Sequence, residues 1–224
     1  MEIYVTEISP PPRKLALRIY FIVTSEYGFL AMGTEIMDSV DFQLVYSTLR
    51  FADDIAMFSE TATGLEQMFQ NLASESNKVG LEMNTSKTKI MTNSIETPIS
   101  IEGQNIEYVK EYIYLGKLTS FHSNRNENEV DRRVNLAWRN YWAQKEILKG
   151  DYSLKMKKII MDSCILPTLT YSSQTWIFTN TIKNKIRSCQ HAMERSILKL
   201  RRIDKKRNTD IRNKTKLVDA HNIQ

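Results

Sequence analysis

The sequence predicts an α+β fold: a small antiparallel sheet with helices over residues 1–120, then a mainly helical part over residues 121–224. Three observations carry this. Short β-like apolar stretches, separated by Gly and Asx turns, recur between Leu44 and Leu118. From about Asn126 the apolar period becomes helical. Charge changes along the same axis: residues 1–120 hold 9 Lys/Arg against 16 Asp/Glu, residues 121–180 hold 9 against 6, and residues 181–224 hold 13 against 4. The balance therefore runs −7, +3, +9 within an overall +5. An acidic front half and a basic end point to cation handling in the first and polyanion contact in the second.

The elements follow in order. Pro10-Pro11-Pro12 forbids a helix before it and allows one after it. Leu15, Ile19 and Ile22 recur at helical spacing, so residues 13–27 read as a helix that Gly28 and Gly33 break. Strands over Leu44–Ala52 and Ile55–Ser59 flank an Asp-Asp turn. Thr61 or Thr63 caps the next helix, with Glu66 placed to complete a box with Thr63. That helix carries Leu65, Met68, Phe69, Leu72 and Val79 and stops at Gly80. Strands over Lys89–Thr92, Ile99–Ile101, Asn105–Val109 and Tyr112–Leu118 follow, with a turn at Glu102-Gly103. A helix from Asn126 presents Val130, Val134, Ala137, Trp138, Tyr141 and Ile147 and stops at Gly150. A second spans Ser153–Cys164 and ends near Pro167. A third spans Thr181–Leu200, with Ile186, Cys189, Met193, Ile197 and Leu200 spaced for a core. The tail Arg201–Arg207 reads as basic and exposed, either a polyanion contact or a solvated end.

Composition excludes several classes. With 2 cysteines in 224 residues there is no disulfide framework, and Cys164, Cys189, His122, His191 and His221 fit no usual zinc spacing. No apolar run reaches membrane-spanning length, and Met1–Pro12 is neither a signal nor a transit peptide, so an intracellular location, cytoplasmic or nuclear, is expected.

The most informative stretch is Phe51-Ala52-Asp53-Asp54, two adjacent carboxylates inside an apolar run that continues as Ile55-Ala56-Met57-Phe58. Like charges side by side in such surroundings are costly unless neutralised, and a hard divalent cation with oxygen ligands is the usual remedy. Neighbouring side chains on a strand point to opposite faces, so the two converge only at a bend.

The order strand, Asp-Asp, strand, helix, then Val79-Gly80-Leu81-Glu82-Met83-Asn84-Thr85-Ser86-Lys87-Thr88-Lys89 and Tyr112-Ile113-Tyr114-Leu115-Gly116 resembles the reverse transcriptases of non-LTR (LINE-type) retrotransposons. Asp162–Tyr171, Gln174-Thr175-Trp176 and Gln190–Arg195 continue the likeness. The resemblance implies a partial polymerase palm followed by a thumb-like region. It implies RNA or DNA template-primer and deoxynucleoside triphosphate as partners, and Mg²⁺ as cofactor. Asp53 then ligates metal directly, with Asp54 supporting. In polymerase palms two such ions clamp the 3′-hydroxyl and the leaving pyrophosphate. Phe51 takes the aromatic place beside the primer terminus, and Lys87 lies near the incoming triphosphate. Tyr114, Leu115 and Gly116 match the primer-grip turn. Arg132, Arg133, Lys155, Lys157, Lys158, Arg201, Arg202, Lys205, Lys206 and Arg207 become candidate phosphate contacts. The family's first palm aspartate and its fingers are expected to be missing, because about 50 residues precede Asp53 and neither Asp38 nor Asp41 lies far enough upstream. A site with one wall removed binds Mg²⁺ weakly and polymerises nothing. Two other readings stand beside this: a nucleic-acid-binding module that works through its basic end, and a protein-interaction scaffold derived from such a fragment.

Overall fold

The computed structural model describes residues 16–23 as backbone, and residues 48–101 and 103–220 in full. The expectations placed on Pro10–Pro12, Gly28, Gly33, Asp38, Asp41 and Glu102 lie outside the described residues. The chain divides into two compact units, Met1–Tyr114 and Leu115–Gln224.

In the first unit, β1 (Ala16–Val23) stands where a helix was expected. Its apolar spacing matches a helix, but Ile19-Tyr20-Phe21-Ile22-Val23 is a run of β-branched and aromatic residues, and a short continuous apolar run suits a central strand equally well. Strands β2 (Thr48–Phe51) and β3 (Asp54–Ser59) form an antiparallel hairpin. Helix α1 (Ala62–Lys78) follows, then β4 (Glu82–Met83), β5 (Lys89–Thr92), β6 (Ser100–Ile101), β7 (Gln104–Asn105), β8 (Glu107–Tyr108) and β9 (Glu111–Tyr114). The main sheet is mixed, in the order β2-β3-β1-β5-β8, with β4 also on β1. β1 runs parallel to β3 and β5, whereas β6 and β7 make a separate small hairpin.

α1 starts at Thr61, whose hydroxyl accepts from the Gly64 N–H at 3.1 Å, so the cap is Thr61 and not a Thr63–Glu66 box. Leu65, Phe69 and Ala73, four residues apart, face inward against Ile55, Met57, Ile90, Ile99, Ile101 and Ile106. Each large side chain buried here contributes on the order of 1.5–3 kcal/mol. Val79 lies beyond that face, exposed, because the helix has already ended.

The second unit opens with β10 (Lys117–Ser120) and is otherwise helical: α2 (Arg125–Ala143), α3 (Lys145–Lys149), α4 (Leu154–Ile160), α5 (Leu166–Thr170), α6 (Asn180–Ile197) and α7 (Asn208–Thr215). Ser153 and Thr179 cap α4 and α6 with their hydroxyls. Between α4 and α5 the backbone widens into a π turn over Met161–Ile165. Pro167 has no N–H for the helical ladder, so the chain passes it within the first turn of α5 instead of stopping there. Val130, Ala137 and Tyr141 of α2 and Ile182, Ile186, Cys189, Met193 and Ile197 of α6 build the core with Met161, Ile165, Leu166 and Leu169. The C-terminal stretch is not a solvated tail. After an exposed loop, α7 folds back and buries Ile211, and the segment after it buries Leu217 and Ala220. Gln190 fastens it, donating to the Val218 carbonyl at 2.7 Å and accepting from the Ala220 N–H at 2.9 Å. Among the described residues no helix is long and apolar enough to cross a membrane.

Candidate metal and nucleic-acid site

The β2–β3 hairpin places the Asp pair at a bend. Phe51 and Asp54 are register partners, so Ala52-Asp53 is a two-residue turn. Ala52 carries the conformational load there, with φ +52° in the left-handed region. Asp53 occupies the turn and Asp54 opens β3, and both are half-buried. Strand alternation assigns the faces. Ile55 and Met57 pack in the cluster under α1, and Ala56 on the other face packs with Tyr114, Leu49, Phe58 and Tyr112. Asp54 shares that second face with Ala56. Burial pushes the Tyr114 phenol above its ordinary value, and the Asp54 carboxylate adds to the shift. Phe51, 63% exposed, ends β2 beside the turn. The donor set is two carboxylates, the oxygen chemistry a hard cation takes.

A third carboxylate does not join them from the neighbouring strand. β1, which pairs with β3, reads Ala-Leu-Arg-Ile-Tyr-Phe-Ile-Val and contains no Asp or Glu, and Arg18 is the register partner of Asp54. Among the described residues no group of three His, Cys, Asp or Glu side chains is placed to hold a metal.

Lys87 sits in a turn built by Asn84. The Asn84 side-chain oxygen accepts from the Ser86 hydroxyl at 2.7 Å and the Lys87 N–H at 3.1 Å. Its carbonyl accepts from the hydroxyl of buried Thr88 at 2.8 Å. The Asn-x-x-Lys-Thr spacing is therefore an Asx turn that fixes the backbone while the Lys87 side chain remains exposed.

In the second unit, Leu115 and Gly116 both have positive φ, +45° and +80°. Their carbonyls are held from below. Leu115 O accepts from the Tyr171 hydroxyl at 2.8 Å, and Gly116 O accepts from the guanidinium groups of Arg132 and Arg133. The φ of +80° favours glycine at position 116, and a Cβ there would also come within 3.2 Å of the Tyr171 ring, which would have to give by a few tenths of an ångström. Glu129, 1% exposed, organises this clamp. Its carboxylate accepts from Arg132 Nε at 2.8 Å, Arg133 Nε at 2.7 Å and the Leu118 N–H at 3.0 Å. The Arg133 guanidinium lies 4.3 Å above the Tyr171 ring.

The basic candidates thus separate. Arg132 and Arg133 point into the clamp, and Arg133 is buried. Lys157, also buried, donates to the Gly150 carbonyl at 2.7 Å, and Lys158 pairs with Asp162 at 2.6 Å. Lys155 is exposed, as are Arg201, Arg202, Lys205, Lys206 and Arg207 in the α6–α7 loop. Glu129 and Tyr171 were not legible as site residues. Glu129 at i−3 and i−4 from the two arginines signals helical ion pairs, but nothing in the sequence ties Tyr171 to a turn 56 residues earlier.

Residues 30–118 match the family described as reverse transcriptase (RNA-dependent DNA polymerase). A transposon-derived, uncharacterized protein of Caenorhabditis elegans is 32% identical over 158 residues, covering 68% of this chain and 56% of that protein. The chain thus spans little more than half of that relative's length. No solved structure matches the chain.

Proposed function

We propose, from a chain whose residues 30–118 match the reverse transcriptase family, that this is palm and thumb-like material of a non-LTR retrotransposon polymerase in which the Asp53-Asp54 hairpin is the metal-binding element. The single observation that carries the reading is the placement of both carboxylates at a β-hairpin bend inside the family match. The first unit is the palm part and the second the thumb-like part. Asp53 and Asp54 are the residues that would hold Mg²⁺, which when bound supplies charge neutralisation to a transferring phosphate. Phe51, exposed beside the turn, offers a face to a primer terminus. Lys87, exposed on a backbone fixed by Asn84, is the cation this reading assigns to an incoming triphosphate. The Leu115-Gly116 turn, with both carbonyls anchored, presents a rigid backbone edge to a primer strand.

The chain alone extends no primer on this reading. Support comes from β1, the strand beside the hairpin, which carries Arg18 in register with Asp54 and no carboxylate. Two carboxylates can retain a cation weakly without positioning a nucleotide. The test is paramagnetic line broadening of the ¹⁵N-labelled chain by Mn²⁺. Amides of Ala52–Ile55 should broaden first, and the Asp53→Asn/Asp54→Asn double variant should lose the effect. Broadening centred elsewhere, or unchanged in the double variant, would remove the metal role.

A second reading rests on a different observation. Residues 181–224 hold a balance of +9, and the five basic residues of the α6–α7 loop are exposed. This end binds nucleic acid whether or not the palm is active.

A further inference from the structure

We infer that a concave surface on the second unit, between the C-terminal half of α6 and the loop that follows it, is a phosphodiester cleft that holds the backbone of single-stranded nucleic acid without reading its bases. This deepens the second reading above and rests on it.

The cleft has a volume of about 650 Å³ and is lined by Lys149, His191, Arg195, Lys199, Arg201 and Arg202, together with small polar and aliphatic side chains. Its size is that of a ligand site. No carboxylate and no Phe, Tyr or Trp ring lies among its described lining residues. The local fold explains the convergence. Ser188, His191 and Arg195 recur at helical spacing along one face of α6. Lys199 then takes a left-handed conformation, φ +57°, while Leu200 N–H donates to Arg195 O at 2.9 Å, a helix-ending pattern that reverses the chain. The reversal brings Arg201 and Arg202 round to the α6 face. Arg201 N–H donates to Asp204 Oδ2 at 2.6 Å, which fixes the loop.

The charges gathered here are poorly compensated. Arg195 donates to Asn208, a neutral partner. Lys199 pairs at 2.8 Å with Asp151, a carboxylate 97% exposed and so screened by water. The Lys149 ammonium stands 5.3 Å from the Trp142 ring, again a neutral partner. His191 registers the positive field: burial and the nearby Arg212, Arg195 and Arg187 hold its imidazolium below the ordinary range, with Asp219 opposing. Like charges concentrated in a concavity call for an anion. A line of permanent cations suits a repeating phosphate better than a single carboxylate. The imidazole of His191 is half-buried and no Phe, Tyr or Trp lies in the lining, so base stacking has no broad platform, and the bound part is the backbone.

The test uses the full chain, a labelled short oligouridylate and its oligoadenylate counterpart, with binding followed by fluorescence anisotropy from about 50 to 300 mM salt. Arg201→Gln/Arg202→Gln should weaken binding at least about tenfold and flatten the log–log salt slope by about 1.4, two phosphate contacts at roughly 0.7 each. Lys205→Gln/Lys206→Gln removes the same charge from the same loop outside the cleft and should cost less than about threefold. Arg201→Lys/Arg202→Lys should retain most of the affinity, and unchanged circular-dichroism melts would show that all variants fold. Uridylate and adenylate should bind alike. Equal losses from the two Gln doubles would overturn the cleft and leave nucleic-acid binding standing. A strong preference for one base would overturn backbone recognition. No binding by the unsubstituted chain would overturn both the cleft and the reading it rests on.

Discussion

Removing the carboxylate of Glu129 should destabilise the second unit far more than removing any exposed acid. Glu129 is 1% exposed and accepts from Leu118 N–H, from Arg132 Nε and Nη2, and from Arg133 Nε. In Glu129→Ala the Arg133 guanidinium remains buried without its counter-charge, and breaking such a pair costs roughly 3–5 kcal/mol. Summing charged hydrogen bonds at about 1.5–3 kcal/mol each would give more, but the four bonds form one network and are not additive. Arg133 also keeps the Gly116 carbonyl and the Tyr171 ring, a cation–π contact of about 0.5–2 kcal/mol. The lower end, about 3 kcal/mol, is therefore expected. The control lies on the same helix: Asp131 pairs with Lys185 with both side chains more than a third exposed, so Asp131→Ala should cost under about 1 kcal/mol. Urea unfolding followed by Trp fluorescence compares them. A double Glu129→Met/Arg133→Met variant should recover part of the loss, because the more deeply buried of the two guanidinium groups is no longer stranded, while Arg132 keeps the Gly116 carbonyl. If Glu129→Ala unfolds at the midpoint of Asp131→Ala, the buried clamp does not hold the turn.

Two further expectations follow from single residues. Ala52 sits at φ +52°, so Ala52→Gly should stabilise the hairpin by up to about 1 kcal/mol in denaturant unfolding, and a loss of stability would mean the turn is not left-handed. Cys164 is exposed, whereas burial pushes the Cys189 thiol up to about 11. At about pH 8 a chromogenic disulfide should therefore react promptly with one thiol, lost in Cys164→Ser, and with the second only on unfolding. Two promptly reacting thiols would contradict the packing of α6.

Much of this fold is readable from local pattern. The Asp-Asp hairpin, α1 and α6 each announce themselves through turn residues, caps or a sustained apolar period, and the structure places them within a few residues of expectation, whereas the single helix expected from Asn126 to Gly150 is interrupted at Gln144 and continues as the separate α3, which carries Ile147. β1 escaped because eight apolar-rich residues are too few for periodicity to separate a strand from a helix, and the choice is made by pairing with β3 and β5. α7 escaped because it is mostly polar: its only strongly apolar anchor is Ile211, and Gln190, from another helix, secures the segment that follows. At the site, the carboxylates and the glycine turn were legible as types at a spacing. The clamp was not, since Arg132 and Arg133 look like phosphate ligands until their partners, Glu129 and a carbonyl of the turn, are seen.

The central claim, that the hairpin is a polymerase metal element and that the chain alone extends no primer, is tested most directly by primer extension. The purified chain is incubated with oligo(dT)-primed poly(rA), dTTP and Mg²⁺ or Mn²⁺, beside an Asp53→Asn control. The account predicts no extension above that control. Extension that depends on Asp53 would contradict it, because a complete site would then have to exist in a chain where β1 sets Arg18, and no carboxylate, in register with Asp54.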